Sequence, residues 1–373
     1  MHLSDLALTD FRSYQDAVLH LETGVTTFVG GNGQGKTNLV EAVAYLATLS
    51  SHRTATDQAL VRQGAEKAVI RARLARGDRA AQVSLEIVPG KANRALIGRA
   101  KVRPVELLGV TRAVGFVPED LALVKGPPDL RRRFLDELTL QLRPSMAGGF
   151  ADYQQVVRQR SALLKSLAGL GGEKRREGIG GLEIWDGPAA ALGAAITVQR
   201  LALAEKLQPR VDQLYGQLAG GGGARLAYRP TVEAAAGDAV ADVERKLLDA
   251  MAAARDREID RGACLYGPHR EELELTLGEL PARGYASHGE SWSLALALRL
   301  GSFQVIRAEV EDDPILILDD VFAELDTDRR QALTGLVAGV EQVLVTAAVR
   351  SDVPDGLTDR WQTVAGGRVS DDG

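Results

Sequence analysis

The spacing of apolar residues changes along the chain, and each change predicts a different kind of element. In 3–11 and 17–21 apolar and polar residues alternate, which predicts two β-strands that are each buried on one face. The alternation returns in 70–74 and 83–87, and the intervening 76–79 carries the glycine and charged residues of a turn. These two segments therefore predict an antiparallel hairpin within a sheet.

Beyond Pro118 the apolar residues recur at helical spacing. The predicted helices are 134–142, 153–167, approximately 184–218 and approximately 240–259. The glycine-rich segment 169–181 predicts a loop, and the glycine run 220–223 predicts the end of the long helix before it. Strand character returns at 273–277 and 315–318. The middle of the chain is thus predicted to be mainly helical, between two parts that contain strands.

A glycine-rich turn lies between the strand 26–29 and an apolar-periodic helix. Gly30, Gly35, Lys36 and Thr37 occupy every fixed position of G-x-x-x-x-G-K-[ST], the Walker A phosphate loop. Backbone N–H groups in such a loop bind phosphate oxygens, and its lysine and threonine contact the β- and γ-phosphates and Mg²⁺. The predicted cofactors are ATP and Mg²⁺. The candidate nucleotide-binding residues here are Gly30, Gly31, Asn32, Gly33, Gln34, Gly35, Lys36, Thr37 and Asn38.

The apolar run 315–318 is followed directly by Asp319 and Asp320, which is typical of a Walker B strand. A buried parallel strand presents such a carboxylate at its C-terminal end, where the phosphate loop also opens. We therefore predict that Asp319 and Thr37 hold Mg²⁺ together and that Asp320 orients the attacking water.

Lys36 and Asp319 are 283 residues apart in sequence, yet both must reach one nucleotide. This separation predicts an α/β ATPase head that is split in sequence by an inserted, mainly helical second domain. The hairpin predicted above adds an antiparallel meander, so the sheet of the head is expected to be mixed. The predicted parts are 1–118 for the N-terminal half of the head, 119–262 for the inserted lobe and 263–373 for the C-terminal half.

Two short motifs flank the Walker B strand. The first, Ser287-His288-Gly289-Glu290, lies about thirty residues before the strand and directly precedes an apolar-periodic helix. The second, Ala323-Glu324-Leu325-Asp326, follows the strand. They resemble the signature motif and D-loop of ABC-type ATPases, in which the signature serine and glycine of one subunit cover the γ-phosphate held by the other. The resemblance implies an ATP-clamped homodimer with Ser287 acting in trans, Gly289 and Glu290 contacting nucleotide and Asp326 near the reaction. The alternative is that Ser287 only caps a helix.

Motifs along the whole chain resemble the RecF family, which is related to the heads of Smc-type ATPases. The matching segments are 10–14, the Walker A loop, 118–136, Gly267-Pro268-His269-Arg270, 287–290 and 318–326. The resemblance implies a weak, DNA-stimulated ATPase that binds duplex, gapped and single-stranded DNA and serves replication, recombination, repair and the SOS response. It also implies cooperation with RecR and RecO in loading RecA at single-strand gaps, and contact between Arg12 and the nucleotide.

Three positions depart from the general ABC-type pattern. Asp320 stands where most such ATPases have glutamate, and its shorter side chain favours slow turnover, which suits a switch. Ala347 occupies the switch-histidine position, so no histidine contact to the γ-phosphate is expected from it. The segment 116–119 lies in the Q-loop region and offers no clear glutamine.

The net charge of −5 argues against a uniformly basic nucleic-acid binder, but charge is divided unevenly along the chain. Between residues 53 and 133 there are 17 basic and 8 acidic residues, whereas 264–330 has 6 basic and 14 acidic. The low aromatic content favours contact with the DNA backbone over base stacking. For each candidate cation a surface ion pair is the alternative role. The DNA-binding candidates are Arg94, Arg99, Lys101, Arg103, Arg131, Arg132 and Arg133.

Two other functions fit part of the pattern. The ATPase subunit of an ABC-type transporter shares the Walker and signature motifs but normally keeps the catalytic glutamate and switch histidine. A P-loop kinase needs neither the Ser287 motif nor a dimer. No apolar run is long enough for a membrane span and no signal peptide is readable, so a cytoplasmic protein without membrane contact is predicted.

Overall fold

The computed structural model describes residues 1–54, 56–77, 79–170 and 172–371. Its strands are β1 (His2–Phe11), β2 (Tyr14–His20), β3 (Gly24–Val29), β4 (Ala68–Arg76), β5 (Arg79–Ile87), β6 (Arg94–Ile97), β7 (Ala100–Val102), β8 (Ala113–Phe116), β9 (Ala224–Arg229), β10 (Glu272–Leu277), β11 (Leu280–Pro281), β12 (Ile315–Asp319), β13 (Gln342–Ala347), β14 (Arg360–Ala365) and β15 (Arg368–Asp371). Its helices are α1 (Lys36–Thr48), α2 (Leu121–Lys125), α3 (Pro128–Leu142), α4 (Ala147–Leu167), α5 (Gly172–Ala219), α6 (Val240–Ala253), α7 (Arg255–Arg261), α8 (Ala282–Tyr285), α9 (His288–Val310) and α10 (Thr327–Val337).

The central sheet has the order β15-β14-β3-β13-β12-β8, and all of its pairs are parallel except β14 with β15. Every residue of β12 and β13 is buried, which explains the uninterrupted apolar runs 315–318 and 343–345 within them. Because β13 lies between β3 and β12, the ends of the two Walker strands meet at the same edge of the sheet. The folding of the chain thus brings residues 36 and 319 to one place.

An antiparallel sheet, β2-β1-β4-β5-β6-β7, covers the first helix. Its β4–β5 hairpin pairs Arg76 with Arg79, which confirms the predicted hairpin; residue 78 of the predicted turn lies outside the described residues. The apolar positions of β1 and β4 pack with α1 in one core, and the alternate positions face away from that core. The predicted antiparallel meander of an ABC-type head is therefore present.

The remaining helices and a small sheet form the lobe between the two halves of the head. Helix α5 packs against α4, α6 and α9, and its second half shares a core with the central sheet. The small sheet has the order β11-β10-β9, in which Tyr228 pairs with Leu273. This sheet joins strands from either side of the predicted boundary at residue 262, so 119–262 and 263–373 stay predicted divisions.

The prediction of a loop over 169–181 is wrong for most of that segment, because α5 begins at Gly172. The glycines there allow close helix packing. A Cβ at Gly178 would lie 2.1 Å from a methyl carbon of Leu167 on α4, and one at Gly181 would lie 3.3 Å from Leu163. Residue 171 of the predicted loop lies outside the described residues. The predicted helix 240–259 is two helices, α6 and α7, separated at Ala254.

Within the described residues, α5 is the one helix that is long and apolar enough to cross a membrane by length and composition. Most of its apolar window is buried inside the protein, where Leu203, Leu207 and Val211 belong to the main core. A buried core helix satisfies the same criteria, so the composition of α5 is explained by packing.

Candidate nucleotide site and dimer face

The phosphate loop lies at the carboxyl edge of the central sheet. The Gly30 N–H donates to the Ala347 carbonyl oxygen at the end of β13 (3.2 Å), so the switch-histidine position contributes a backbone contact. A Cβ at Gly30 would lie 2.1 Å from the Val364 carbonyl oxygen, and Gly35 has a φ of 113°. Both positions therefore require glycine.

Lys36 begins α1, and its buried side chain turns back over the loop. Its Nζ donates to the carbonyl oxygens of Gly30 (2.6 Å) and Gly31 (3.3 Å). An ammonium group has three N–H donors, so one donor is left for an anion above the loop. The arrangement suits the predicted phosphate contact.

The other predicted residues of the loop are either exposed or fixed by neighbouring segments. Residues 31–33 are exposed. Gln34 accepts a hydrogen bond from the Gly366 N–H (2.7 Å) through its side-chain oxygen, and Asn38 donates through Nδ2 to Ser13 Oγ (2.9 Å). The loop is thus held at its sides while its glycine-rich tip faces solvent.

Thr37 and Asp319 are in direct contact. Thr37 Oγ1 donates to Asp319 Oδ1 (3.0 Å), and the same oxygen accepts from Thr346 Oγ1 on β13 (2.5 Å). Asp319 is buried at the end of β12. The two residues predicted to hold Mg²⁺ therefore lie together, and Thr346, which the sequence did not single out, orients the carboxylate.

Burial raises the pKa of Asp319 to about 6, and the nearby Asp320 and Glu119 carboxylates act in the same direction. The Thr346 and Thr37 hydroxyls lower the pKa of Asp319 but do not offset burial. A divalent cation at this position would favour the ionised carboxylate. Mg²⁺ commonly takes one or two protein oxygens and completes its shell with phosphate and water, so this pair fits it.

We expect Asp319→Asn to stabilise the metal-free protein at about pH 8. The folded-state pKa is raised from 3.8 to about 6, so the parent loses stability as pH rises through that interval and stays less stable above it. Asparagine keeps the Oδ1 acceptor but has no charge. The gain is about 2–3 kcal/mol at pH 8, and it shrinks towards pH 4. Urea unfolding in chelator measures it, and a gain that is equal at both pH values would refute the electrostatic account.

Asp320 has an unusual backbone conformation for a residue with a side chain. Its φ is 51°, and its N–H donates to Thr346 Oγ1 (2.9 Å). Aspartate is among the residues that tolerate this left-handed region, although at a cost in conformational energy. Its Oδ1 is buried and has no hydrogen-bond partner within the protein. An acceptor in that state suits a water molecule, which is the predicted role of Asp320.

Ser287 is exposed at the N-terminus of α9. Its Oγ accepts from the Glu290 N–H (3.3 Å), and the Glu290 carboxylate accepts from the Ser287 N–H (2.8 Å), so the two form a capping box. Ser287 therefore caps α9, and its action in trans stays a prediction. The cap also fixes the hydroxyl beside the free N–H groups of the helix N-terminus, which can bind an anion from outside the subunit.

Arg329 links the signature motif to the D-loop, and sequence reasoning missed it. Its guanidinium binds the Asp326 carboxylate (2.5 Å) and donates through Nε to Ser293 Oγ (3.1 Å) on α9. A Cβ at Gly289 would lie 3.0 Å from the same guanidinium. Asp326 also accepts from the Arg329 N–H and so caps α10. Between the described residues of this cluster and the phosphate loop of the same subunit we find no hydrogen bond or ion pair.

Arg12 lies beside the phosphate loop, but its guanidinium contacts Glu41 and the Ala59 carbonyl oxygen. Glu41 is buried on α1 and also binds Arg53, which donates to Asn38 Oδ1 (2.7 Å). The predicted contact between Arg12 and nucleotide stays a prediction. Sequence reasoning missed Glu41, although a carboxylate within an apolar helix face was an available signal for a buried ion pair.

The structure contradicts the predicted DNA contact for Arg131. This side chain is 5% exposed, and its guanidinium is bound by Glu272 (2.8 Å) and donates to two backbone carbonyl oxygens. Arg132 is half-buried and donates to the Glu271 carbonyl oxygen (2.9 Å). Arg133 is exposed and pairs with Glu137 (3.0 Å). Three consecutive arginines on one helix thus have different surroundings. The first two connect α3 to residues 271 and 272 at the start of β10.

The other predicted DNA-contacting residues lie at the β6–β7 end of the antiparallel sheet and are all exposed: Arg94, Arg99, Lys101 and Arg103. Arg94 pairs with Glu86 and Arg103 with Glu106. The sheet register adds Arg71, which is aligned through Ser84 and Leu96 with Lys101 on the same face. Arg73 is two residues further along β4. The sequence placed both arginines on the strand's polar face but gave no sign of their neighbours across the sheet.

Comparison with known proteins shows which family has this architecture. Residues 2–359 match the family described as RecF/RecN/SMC N terminal domain. The chain is 53% identical over 396 residues to the DNA replication and repair protein RecF of Beutenbergia cavernae and 55% identical over 379 residues to that of Frankia alni, with 99% of each chain covered in both cases. The chain belongs to the RecF family. The transporter and kinase alternatives are thereby set aside.

Solved structures agree with the RecF assignment. The chain is similar to a structure of the recombination mediator protein RecF-ATP in RecFOR pathway, with a TM-score of 0.89 and 25% identity over 99% of this chain and 97% of that one. It also resembles an Smc head bound to the C-winged helix domain of ScpA, with a TM-score of 0.56 and 17% identity over 99% and 96% of the two chains. The second likeness concerns the fold alone. The predicted fold class, an ABC-type ATPase head with a helical insertion, is confirmed.

Proposed function

We propose that this chain is an ATP-dependent DNA-binding protein of recombination repair that dimerises around ATP. The observation that carries the proposal is the hydrogen bond between Thr37 Oγ1 and Asp319 Oδ1 (3.0 Å), which joins segments 282 residues apart beside a Walker A loop. The names of the RecF relatives support the repair function, and the RecF-ATP structure supports ATP as the nucleotide.

Each residue of the cis site, the part of the nucleotide site that a single subunit forms, has a distinct proposed role. Lys36 and the N–H groups of 30–35 bind the β- and γ-phosphates. Thr37 and Asp319 hold Mg²⁺, which neutralises phosphate charge when bound. Asp320 orients the attacking water through its unpartnered Oδ1. The geometry favours slow hydrolysis, because a short aspartate in a strained conformation replaces the usual glutamate.

The partner subunit completes the site. Ser287 and Gly289, at the exposed N-terminus of α9, cover the γ-phosphate bound by the other copy, with Glu290 holding the serine in place. Asp326 lies beside them through Arg329. A helix N-terminus carries partial positive charge, so it gains favourable energy only when an anion approaches it. ATP bound by one copy supplies that anion, and each subunit contributes both halves in a two-fold pair.

The DNA surface is proposed on the antiparallel sheet. Three exposed cations, Arg71, Arg99 and Lys101, have no acidic partner among the described residues. Arg73 is aligned with Asp5 on β1, and Arg94 and Arg103 lie beside the others. Such a surface binds phosphates without reading sequence, and its affinity falls as salt rises. From the family resemblance we further propose that the DNA bound is a single-strand gap or a duplex junction, and that the protein cooperates with RecR and RecO in loading RecA. We also propose that it acts in the cytoplasm.

Binding to a gapped duplex in the presence of ATP and of ADP tests this function. We expect at least ten-fold tighter binding with ATP and Mg²⁺, since two basic surfaces act together only in the dimer. Fluorescence anisotropy of a labelled duplex measures the affinity. The double variant Arg71→Ala with Lys101→Ala should weaken binding in both nucleotide states. The double variant Arg245→Ala with Lys246→Ala, on α6 in the lobe, removes the same charge away from this sheet and serves as the control. Equal affinity for the duplex with ATP and with ADP would contradict the proposal that ATP controls DNA binding.

A further inference from the structure

Tyr285 differs from every other aromatic residue of the chain. There are 7 Phe, 3 Trp and 7 Tyr residues, all within the described ranges. Tyr285 alone is exposed, with 66% of its surface accessible, while the others are buried or half-buried. A single exposed hydrophobic residue is common on protein surfaces, so the position of Tyr285 decides whether it has a role.

The backbone that carries Tyr285 is fixed to the lobe. Leu280 pairs with Leu277 in the small sheet, and Ala282 is buried at the start of α8. The Ala286 N–H then donates to the Ala282 carbonyl oxygen (3.0 Å). The segment therefore presents the tyrosine ring to solvent from an ordered support. Leu280, at the foot of the same segment, is also 54% exposed.

Tyr285 is only two residues before Ser287. Two residues span at most about 7 Å of extended chain, so the tyrosine is at the surface that approaches the partner if Ser287 covers its γ-phosphate. We propose that Tyr285 is a dimer contact whose ring is buried against the rim of the partner's phosphate loop. This inference rests on the proposed ATP-clamped dimer and names a residue that secures it.

The rim of the phosphate loop has a suitable surface for a tyrosine ring. Arg53, with 37% of its side chain exposed, donates to Asn38 Oδ1 (2.7 Å) and is braced by Glu41. Asn38 in turn donates to Ser13 (2.9 Å). A fixed guanidinium is attracted to the face of an aromatic ring, and the attraction strengthens when closure removes water. Exposed aromatic residues that become buried on association also contribute strongly to interface affinity.

The first test compares variants in ATP-dependent dimerisation by sedimentation velocity. Tyr285→Ala should weaken the dimer about ten-fold or more, and Tyr285→Phe should restore most of it, because the ring provides the contact. Ile184→Ala is the matched control, since Ile184 is 71% exposed on α5 in the lobe and away from this segment. Binding of a fluorescent ATP analogue to the dilute monomer should be the same for all variants.

The second test uses the parent protein and nitration by tetranitromethane. Tyr285 should be the tyrosine that reacts fastest in the free protein, and ATP with Mg²⁺ should protect it while ADP does not. If the parent dimerises with ATP but Tyr285→Ala dimerises equally, or nitration is unchanged, this inference is overturned and the ATP clamp stands. If the parent does not dimerise with ATP, both the Tyr285 contact and the proposed ATP-clamped dimer are refuted.

Discussion

Replacing Lys36 with alanine should reduce ATP affinity about 100-fold. Its ammonium group is the buried cation of the phosphate loop and has one donor left beyond the Gly30 and Gly31 carbonyl oxygens. Each hydrogen bond to a charged group contributes about 1.5–3 kcal/mol, and the substitution also leaves phosphate charge uncompensated in a partly buried site. ATP-dependent dimerisation and DNA binding should be lost with the nucleotide.

Titration with a fluorescent ATP analogue measures the affinity of Lys36→Ala. Lys91→Ala, in an exposed turn of the head, changes the net charge equally and should bind nucleotide like the parent. Thermal unfolding without nucleotide checks that the loop variant is folded. A folded Lys36→Ala protein with parental ATP affinity would mean that nucleotide binds elsewhere.

Ser287→Arg should abolish ATP-dependent dimerisation while leaving ATP binding to the monomer unchanged. The serine is exposed at the N-terminus of α9, and its described contacts lie within its own capping box and with Ser291. An arginine side chain there would occupy the space that the partner's nucleotide needs. Among the described residues, Ser287 has no hydrogen bond to the phosphate loop, Asp319 or Asp320 of its own subunit, so the two measurements should separate.

Ser287→Ala is the matched control for this substitution. Both variants lose the cap, which costs about 1 kcal/mol of stability, but alanine keeps the surface open and retains the helix N–H groups. Ser287→Ala should therefore dimerise with ATP more weakly than the parent and far better than Ser287→Arg. If Ser287→Arg sediments as a dimer with ATP, the serine does not cover the partner's site.

The nucleotide site could be predicted from the sequence because its phosphate- and metal-binding residues lie in short, contiguous motifs. The Walker A loop needs glycine where Val364 and Tyr14 approach the backbone, and the chain has Gly30 and Gly35 there. The Walker B strand is continuously apolar because both of its faces are buried. The complete Walker A loop was sufficient by itself, the Walker B strand was recognised only together with that loop, and the 283-residue separation then predicted a split head.

Features that depend on distant contacts could not be predicted in this way. Arg131 has the same local character as Arg133, yet one is bound by Glu272 and the other faces solvent. The glycines of 172–181 resemble a loop in sequence, but α4 packs closely against Gly178 and makes helix favourable. The role of Thr346 had no signal in the sequence, because it comes from β13 lying beside β12. Glu41 could be suspected of a buried ion pair, but its partner Arg12 could not be predicted, because Arg12 reaches it from the end of β1.

Sedimentation velocity with ATP and Mg²⁺, with ADP, and with ATP plus a gapped DNA duplex tests the central claim most directly. We predict a dimer with ATP, a smaller species with ADP, and a dimer that sediments together with the duplex when ATP is present. The same sedimentation coefficient in ATP and ADP would contradict an ATP-dependent clamp.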